Sequence, residues 1–323
     1  MRPIRINNKI IIKLEKLIDD ELANDLSQLS KAKSAILGNF YSSANESYSL
    51  FEIRNDFKGF ILKTPEEQVE LITNWNNLDR NLFYDYDKRG RESKITPFGN
   101  NILSKLNYED FRSTYAYIIS KIIGIKACPY CNAILTIVAE REGDEKKSLF
   151  QLDHFFPKSK FPLLSISIFN LIPSCANCNH TKSNDDVDLN LDFHLYYEET
   201  PLDAFKFKLS EKSIIEYVYS KNREIEIQFL NGEDSTPEYA ERHNRSFDIK
   251  GIYDNQKDIA EELIWKSLAY NDSRIKELST LLNIGEEVIK RMVIGNYIDR
   301  EDIHKRPLAK FQQDIARQLG LIK

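Results

Sequence analysis

The chain has 323 residues, of which 41% are apolar and 29% are charged. At ~150 residues per domain this length suggests about two domains, and the composition excludes wholesale disorder. The 45 Lys and Arg residues stand against 50 Asp and Glu residues, and the resulting net charge of -5 excludes a protein that coats nucleic acid through bulk positive charge.

The N-terminal third of the chain is predicted to be helical. Apolar residues recur every three or four positions between residues 11 and 29, which predicts one long amphipathic helix. A capping box, Thr-Pro-Glu-Glu at 64–67, begins a second predicted helix that continues to residue 78. A third helix is predicted from residue 107 to Gly124. The basic loop at 88–91 is either a solvated turn or a phosphate contact.

The middle of the chain is predicted to contain strands. Residues 134–138 and 149–156 are expected to form a hairpin around the polar turn Gly-Asp-Glu at 143–145. Three further segments alternate like half-buried strands, at 205–209, 214–219 and 225–230. The helical period returns from Pro237 onward. The sequence therefore predicts an α+β protein whose strand-containing middle is flanked by helices.

No secretory leader is predicted, because the first residues lack a continuous apolar run and a small-residue cleavage site. The longest apolar stretch, at 115–125, is too short to span a bilayer. We therefore expect a cytoplasmic protein without membrane contact. In a reducing environment, metal binding or catalysis is favoured over disulfide formation for the four cysteines.

All four cysteines belong to two Cys-x-x-Cys pairs, Cys128 with Cys131 and Cys175 with Cys178. Each pair can place two thiolates on one side of a tight turn, and two such knuckles complete a tetrahedral zinc site. Two unrelated buried pairs and a redox pair are the alternatives, although neither pair lies in the strand-turn-helix context of a thioredoxin-like centre. Zinc held by four sulfurs is closed to substrate, so catalysis must come from other residues.

The segment between the knuckles carries a second group of polar residues. Asp153 and His154 end a predicted strand, and two asparagines follow at nine-residue spacing, Asn170 and Asn179. Histidine is the side chain whose ordinary pKa suits general-base work near neutral pH, which makes His154 the candidate base. The carboxylate of Asp153 and the amide oxygen of Asn179 are ligands that a Mg²⁺-type ion accepts. A core or surface histidine is the alternative for His154.

Between Cys128 and Lys182 this pattern resembles the HNH endonucleases, whose ββα-metal motif is often held by two such cysteine pairs. The resemblance implies hydrolysis of DNA phosphodiester bonds, a catalytic Mg²⁺ or Mn²⁺ ion and a structural Zn²⁺ ion. It assigns His154 to the first motif position, as general base. Asn170 takes the middle position, as the scaffold of the loop that orients the base. Asn179 takes the last, as a metal ligand with Asp153; some relatives have histidine there.

Several basic residues adjoin the motif. Lys182 could hold the scissile phosphate, and the alternative is an exposed helix lysine. Lys158 and Lys160 follow the candidate base and are predicted phosphate contacts. His180 is expected either to be exposed or to lie behind the metal ligands, and it is not counted as a ligand. The other histidines show no partner pattern and are expected to be structural, at 194, 243 and 304.

The layout also resembles the nuclease subunits of Septu-type phage-defence systems, which work with an ATPase partner. The shared motifs are Cys-x-Tyr-Cys, here Cys-Pro-Tyr-Cys at 128–131, and His-Phe-x-Pro-Lys-Ser, here His-Phe-Phe-Pro-Lys-Ser at 154–159. The chain has no Walker motif, so any ATP dependence must come from another chain. This resemblance implies three parts: a helical N-terminal region at 1–126, a zinc-bound HNH core at 127–184, and a mixed, mainly helical region for partner or substrate binding at 185–323.

Two other functions stay open. The first is a non-catalytic zinc-stabilised module that binds nucleic acid or protein, in which the His-Asn-Asn pattern is accidental or decayed. The second is an RNA-cleaving HNH effector, although no aromatic-rich RNA-binding module supports RNA over DNA. The intact set of polar residues favours cleavage over the non-catalytic module, while the same hydrolysis works on a DNA or an RNA backbone.

The acidity of the chain is concentrated in one segment, 185–203, which contains no Lys or Arg. Its seven acidic residues are Asp185, Asp186, Asp188, Asp192, Glu198, Glu199 and Asp203. Without these seven, 45 basic residues stand against 43 acidic ones, a balance of +2. The segment is either a solvated loop, a contact for a basic partner surface, or a gate over the site.

Overall fold

A computed structural model describes residues 1–39, 47–75, 77–86, 92–140, 146–148, 150–182, 187, 192–220, 224–233 and 235–323. Across these residues the fold is mainly helical, with small two-stranded antiparallel sheets. This confirms the predicted α+β class. Within the described ranges, no helix combines the length and the apolarity needed to cross a membrane.

The N-terminal region consists of helices and one short hairpin. The helices are α1 (Asn8–Leu22), α2 (Gln28–Asn39), α3 (Tyr48–Asn55), α4 (Phe57–Ile61), α5 (Pro65–Thr73), α6 (Asn77–Phe83), α7 (Pro97–Leu106) and α8 (Tyr108–Ile123). The hairpin strands are β1 (Tyr84–Tyr86) and β2 (Glu92–Ile95). The predicted basic loop at 88–91 lies outside the described residues.

The single long helix predicted at 11–29 is wrong, because the chain forms α1 and α2 with a turn between them. The Ser27 hydroxyl ends one helix and begins the next. It donates to the Glu21 carbonyl at 2.7 Å and accepts from the Ser30 amide at 3.0 Å. The capping box forms as predicted, with the Thr64 amide 2.7 Å from Glu67 Oε2. The second predicted helix is nevertheless divided between α5 and α6.

The middle region contains β3 (Val138–Glu140), β4 (Lys146–Ser148), β5 (Gln151–His154), β6 (Leu171–Ser174) and the short helix α9 (Ala176–Thr181). Two 3₁₀ turns, at Pro162–Ile166 and Ile168–Asn170, lead into β6. The predicted hairpin is wrong in its pairing, since β5 pairs with β6 and β3 pairs with β4. The first predicted strand is displaced because Leu135 bridges Ala127 and so closes the first cysteine knuckle. The predicted turn at 143–145 lies outside the described residues.

The C-terminal region has one antiparallel pair, β7 (Phe205–Leu209) with β8 (Ile227–Asn231), surrounded by helices. The helices are α10 (Glu211–Tyr219), α11 (Tyr239–Phe247), α12 (Ile249–Asp254), α13 (Lys257–Ala269), α14 (Asp272–Leu282), α15 (Glu286–Ile294) and α16 (Ala309–Gln318), with a 3₁₀ turn at Arg300–Lys305. The predicted strand at 214–219 is wrong, because it belongs to α10. Burial there recurs at Ser213 and Tyr217, a helical interval of four.

The C-terminal region also holds the first cysteine knuckle in place. Asn132, fully buried and in the left-handed region at φ 54°, donates to the Ile303 carbonyl at 2.8 Å and accepts from the Lys310 amide at 2.9 Å. Tyr253 donates to the Cys131 carbonyl at 2.8 Å. One hydrophobic core contains residues from Met1 to Ile322, including all four cysteines. The division at 126 and 184 stays a prediction.

Two carboxylates of the acidic segment 185–203 form ion pairs within the chain. Asp192 accepts from Arg242 of α11 at 2.6 and 2.7 Å, and Asp203 lies 3.2 Å from the Lys310 ammonium of α16. Asp185, Asp186 and Asp188 lie outside the described residues. The described part of this segment therefore joins the middle of the chain to its C-terminal helices, a contact that the sequence did not suggest.

Stability is expected to fall as the pH drops below about 6.5, the ordinary histidine pKa. Burial lowers the pKa of His243 and of His304 to about 3. Below pH 6.5 the unfolded chain therefore takes up protons that the folded chain does not, which costs up to ~1.4 kcal/mol per pH unit for each histidine. Urea unfolding at pH 7, 6 and 5 measures this slope. The variant His243→Gln, which keeps a side-chain donor, should show a weaker dependence of the free energy of unfolding on pH. An unchanged pH dependence in that variant would contradict its assignment to the buried His243.

Candidate functional site

The four cysteines form one buried cluster. Their sulfur atoms all lie within 4.8 Å of one another, with Cys131 Sγ 4.0 Å from Cys175 Sγ. A tetrahedral zinc site with Zn–S bonds of ~2.3 Å separates its sulfurs by about 3.8 Å, so the donor set and the spacing fit. None of the four is in a disulfide. The cluster could hold a metal ion such as zinc, and the alternative of two unrelated pairs is wrong.

Backbone hydrogen bonds shape the two knuckles. The Cys128 amide donates to the Ile134 carbonyl at 2.8 Å, which closes the first turn. The second knuckle meets the first where the Cys175 amide points at Cys128 Sγ, 3.4 Å away. Burial raises the pKa of the Cys128 thiol well above its usual range. A thiolate in this position therefore needs a cation beside it, which a metal ion provides.

Strands β5 and β6 and helix α9 form a compact unit that joins the cluster to the predicted site residues. His154 is the last residue of β5 and pairs with Leu171, and Asp153 pairs with Ile172. Helix α9 begins inside the second knuckle, with Cys175 as its N-cap residue. Asn179 lies in α9 and is thereby brought beside β5.

A cleft of about 450 Å³ lies over this unit. Four predicted site residues line it: Asp153, His154, Asn179 and Lys182. Lys158 and the exposed His180 also line the cleft, whereas Lys160 is not among the described residues that do. The cleft therefore brings together predicted site residues that the sequence separates by up to 29 positions, Asp153 and Lys182.

His154 is held in one tautomer. Its Nε2 lies 2.9 Å from the Ser165 carbonyl oxygen, which only accepts, so Nε2 carries the proton and Nδ1 keeps its lone pair. The ring packs against Tyr108 with centroids 4.5 Å apart. Burial lowers the pKa of His154 to about 4, so the ring is neutral near pH 7. This histidine can accept a proton at Nδ1.

Asn170 is fully buried behind the cleft, and its amide group bonds the loop that follows His154. Its Oδ1 accepts from the Phe156 amide at 2.7 Å, and its Nδ2 donates to the carbonyls of Phe156 and Leu164 at 3.1 and 3.0 Å. These bonds connect the backbone at Phe156 to the 3₁₀ turn that carries Ser165, the partner of His154. The predicted role of Asn170 in catalysis, as the residue that holds the loop orienting the base, stays a prediction.

Asn170→Ala is expected to lower the free energy of unfolding by about 2 kcal/mol or more. The substitution removes the partners of the Phe156 amide and the Phe156 carbonyl, whereas the Leu164 carbonyl keeps its bond from the Ser167 amide. Each buried group without a partner costs ~1–3 kcal/mol. Urea denaturation measures the loss. Asn177→Ala, at an exposed position of α9, is the control and should be nearly neutral. Equal stability of the two variants would show that the Asn170 bonds contribute nothing.

Asp153 and Lys182 form a partly buried ion pair. Lys182 Nζ lies 2.6 Å from Asp153 Oδ2 and also donates to the carbonyls of His154 and Phe155, at 2.9 and 3.1 Å. Its three ammonium protons are therefore matched by three protein acceptors. This geometry favours a positioning role for Lys182, and the predicted contact with a scissile phosphate stays a prediction.

Asn179 is oriented by a residue that the sequence analysis missed. Its Nδ2 donates to Gln151 Oε1 at 2.6 Å, so its own Oδ1 is the atom that can bind a cation. The one signal for Gln151 is its position two residues before Asp153, on the same face of β5. Tyr108 and Arg112 of α8 also line the cleft, and no local pattern marks them because α8 is distant in sequence.

Comparison with protein-family models found no match, and comparison with solved structures found none. Among curated proteins, the Septu protein PtuB of Bacillus thuringiensis is 36% identical to this chain over 59 residues. The match covers 18% of this chain and 20% of PtuB, so the chain spans about a fifth of the length of that relative. The chain thus has a weak, partial similarity to a Septu defence protein, together with a cysteine cluster that could bind a metal.

Proposed function

We propose that this protein is a metal-dependent endonuclease of the HNH type, which hydrolyses DNA phosphodiester bonds in anti-phage defence. The observation that carries the proposal is the cleft that contains the neutral His154, Asp153 and Asn179 beside the cysteine cluster. The partial similarity to a Septu protein supports the defence role. By the same similarity we propose an ATPase subunit as partner, bound by the C-terminal region 185–323.

In this proposal His154 is the general base. Its Nδ1 takes a proton from a water molecule as the water oxygen attacks the phosphorus, and the other ring proton stays on Nε2, hydrogen-bonded to the Ser165 carbonyl. The bonds of Asn170 hold Ser165 and thereby the imidazole plane. Lys158, at the edge of the cleft, would contact a neighbouring phosphate. The N-terminal region 1–126 supplies one wall through α8.

The oxygen donors of the cleft fit a Mg²⁺ or Mn²⁺ ion. Among the described residues, the cysteines are the one group of three or more His, Cys, Asp or Glu side chains placed to hold a metal. The cleft therefore offers two protein ligands, Asp153 and Asn179, as suits an ion that keeps waters and binds substrate phosphate oxygens. When bound, such an ion supplies positive charge to the phosphate and to the leaving oxygen. The four cysteines would hold a structural Zn²⁺ ion in the core 127–184.

The test is a plasmid-nicking assay with Mg²⁺ or Mn²⁺, comparing wild type with His154→Ala. We expect nicked and linear plasmid with wild type and intact plasmid with the variant. Full nicking by the variant would contradict the mechanism. A single-stranded RNA of matched length, assayed in parallel, separates a DNA-cleaving from an RNA-cleaving enzyme. Zinc-dependent binding of either nucleic acid without cleavage by wild type would favour the non-catalytic module instead.

A further inference from the structure

The two cysteine knuckles send side chains to the same oxygen atom of Asp153. Tyr130 lies inside the first knuckle, and its hydroxyl donates to Asp153 Oδ2 at 2.6 Å. Lys182 follows the second knuckle, and its ammonium group lies 2.6 Å from the same Oδ2. Tyr130 is 1% exposed and Asp153 is 6% exposed, so the bond between them lies in the protein interior, while the bond from Lys182 is partly buried.

The two bonds leave the oxygens of Asp153 unequal. Oδ2 accepts two charge-assisted hydrogen bonds, which use its lone pairs. Oδ1 has no hydrogen-bond partner among the described residues, and Asp153 lines the cleft. Rotation of the carboxylate would break both bonds to Oδ2. The oxygen that a ligand in the cleft can reach is therefore Oδ1. Its orientation is fixed by the two hydrogen bonds that the other oxygen, Oδ2, accepts.

The two donors are themselves held. The Tyr130 ring stacks on Phe247 with centroids 4.5 Å apart, and the Tyr130 carbonyl accepts from His243 Nε2 at 2.8 Å. The Lys182 ammonium is fixed by the carbonyls of His154 and of the residue after it. The position of Asp153 Oδ1 therefore depends on the geometry of the cysteine cluster through two short connections, one from each knuckle.

We propose that Tyr130 and Lys182 are positioning residues that use the two knuckles to hold Asp153 Oδ1 in place as a ligand for a divalent cation in the cleft. The proposal rests on the proposed function, because it concerns the ion-binding carboxylate of that site. It gives the cysteine cluster a purpose beyond stability: the cluster sets the orientation of a ligand oxygen that it does not itself contact.

The test compares Tyr130→Phe with a matched control, Tyr253→Phe. Both tyrosines are buried, and both donate to an acceptor at or beside the first knuckle, but Tyr253 bonds the Cys131 carbonyl and not Asp153. Each variant therefore loses one buried hydroxyl. The measurement is Mn²⁺ binding to the full, zinc-loaded chain without nucleic acid, followed by electron paramagnetic resonance. Asp153→Asn identifies the signal that belongs to the cleft.

We expect Tyr130→Phe to weaken Mn²⁺ binding by ~10-fold, the typical effect of losing a group that orients a metal ligand. Tyr253→Phe should bind within about twofold of wild type, and the zinc content should be unchanged in both variants. Lys182→Met, which removes the donor from the other knuckle, should weaken binding by a similar factor. The Lys182→Met variant keeps the proposal testable if Tyr130→Phe does not fold.

Equal Mn²⁺ affinity of Tyr130→Phe and Tyr253→Phe would overturn the proposal, and so would the lack of any Asp153-dependent Mn²⁺ binding in wild type. Cleavage assays on the same samples separate this result from the fate of the proposed function. A Tyr130-dependent Mn²⁺ site in a chain that cuts no nucleic acid supports the positioning role and contradicts the nuclease. Cleavage by wild type, together with equal Mn²⁺ affinity of Tyr130→Phe and Tyr253→Phe, supports the nuclease and contradicts the positioning role.

Discussion

Cys175→Ser is expected to remove the bound metal and to unfold the region around the cysteine cluster. Structural zinc contributes an apparent ~10–16 kcal/mol to folding in small zinc domains, and whole domains are stable by only ~5–15 kcal/mol. Losing one of four ligands therefore removes a large share of the stability. The loss should spread, because the four cysteines belong to the same hydrophobic core as the surrounding helices.

Zinc content by mass spectrometry and thermal unfolding of the purified protein measure this effect. We expect about one zinc ion per wild-type chain, much less in Cys175→Ser, and a lower melting temperature in the variant. Asn177→Ala, inside the same knuckle but exposed and without a sulfur, should keep the metal. Purified wild-type protein without tightly bound zinc would refute the assignment, as would a Cys175→Ser protein that melts like wild type.

His154→Ala is expected to lower the rate of DNA cleavage by ~10²–10⁴-fold, the range that a positioned general base contributes. The substitution removes the Nδ1 lone pair and with it the group that accepts the proton of the attacking water. Because His154 also packs on Tyr108, the melting temperature of the variant is measured alongside the initial rate of plasmid nicking.

His180→Ala is the matched control for this experiment. His180 lines the same cleft but is exposed, and no hydrogen bond to a backbone carbonyl selects its tautomer among the contacts described. Its removal should change the rate by less than about threefold, as for a residue outside the proton transfer. If His180→Ala were the inactive variant and His154→Ala were active, the base would have to be reassigned to His180.

Local signals in the sequence predicted the parts of the molecule that depend on neighbouring residues. The spacing of each cysteine pair forces two sulfurs onto one turn, so the cysteine cluster followed from the sequence. The capping box at Thr64 and the left-handed Gly124 after α8 are likewise set by their immediate neighbours. The prediction of a single helix at 11–29 failed because the apolar period continues across the break between α1 and α2, where the Ser27 hydroxyl bonds to the end of one helix and the start of the next.

The rest of the fold and of the candidate site depends on contacts between residues that lie far apart in the sequence. The partner of β5 is β6, and nothing in β5 itself distinguishes β6 from β3 as a partner. The Tyr108 ring reaches His154 only because α8 packs beside the middle region. The bond from Tyr130 to Asp153 joins residues 23 positions apart, and a tyrosine between two cysteines carries no signal of its target.

The link between Asn132 and α16 has a consequence for the synthesis of the protein. Asn132 receives the Lys310 amide from 178 positions further along the chain, and the Leu308 amide bonds its carbonyl. While the chain is being translated, the first knuckle therefore lacks these partners until α16 has left the ribosome. Such long-range closure makes folding slow compared with that of helical proteins whose contacts are local. The first knuckle thus gains these partners only after residue 310 has been produced.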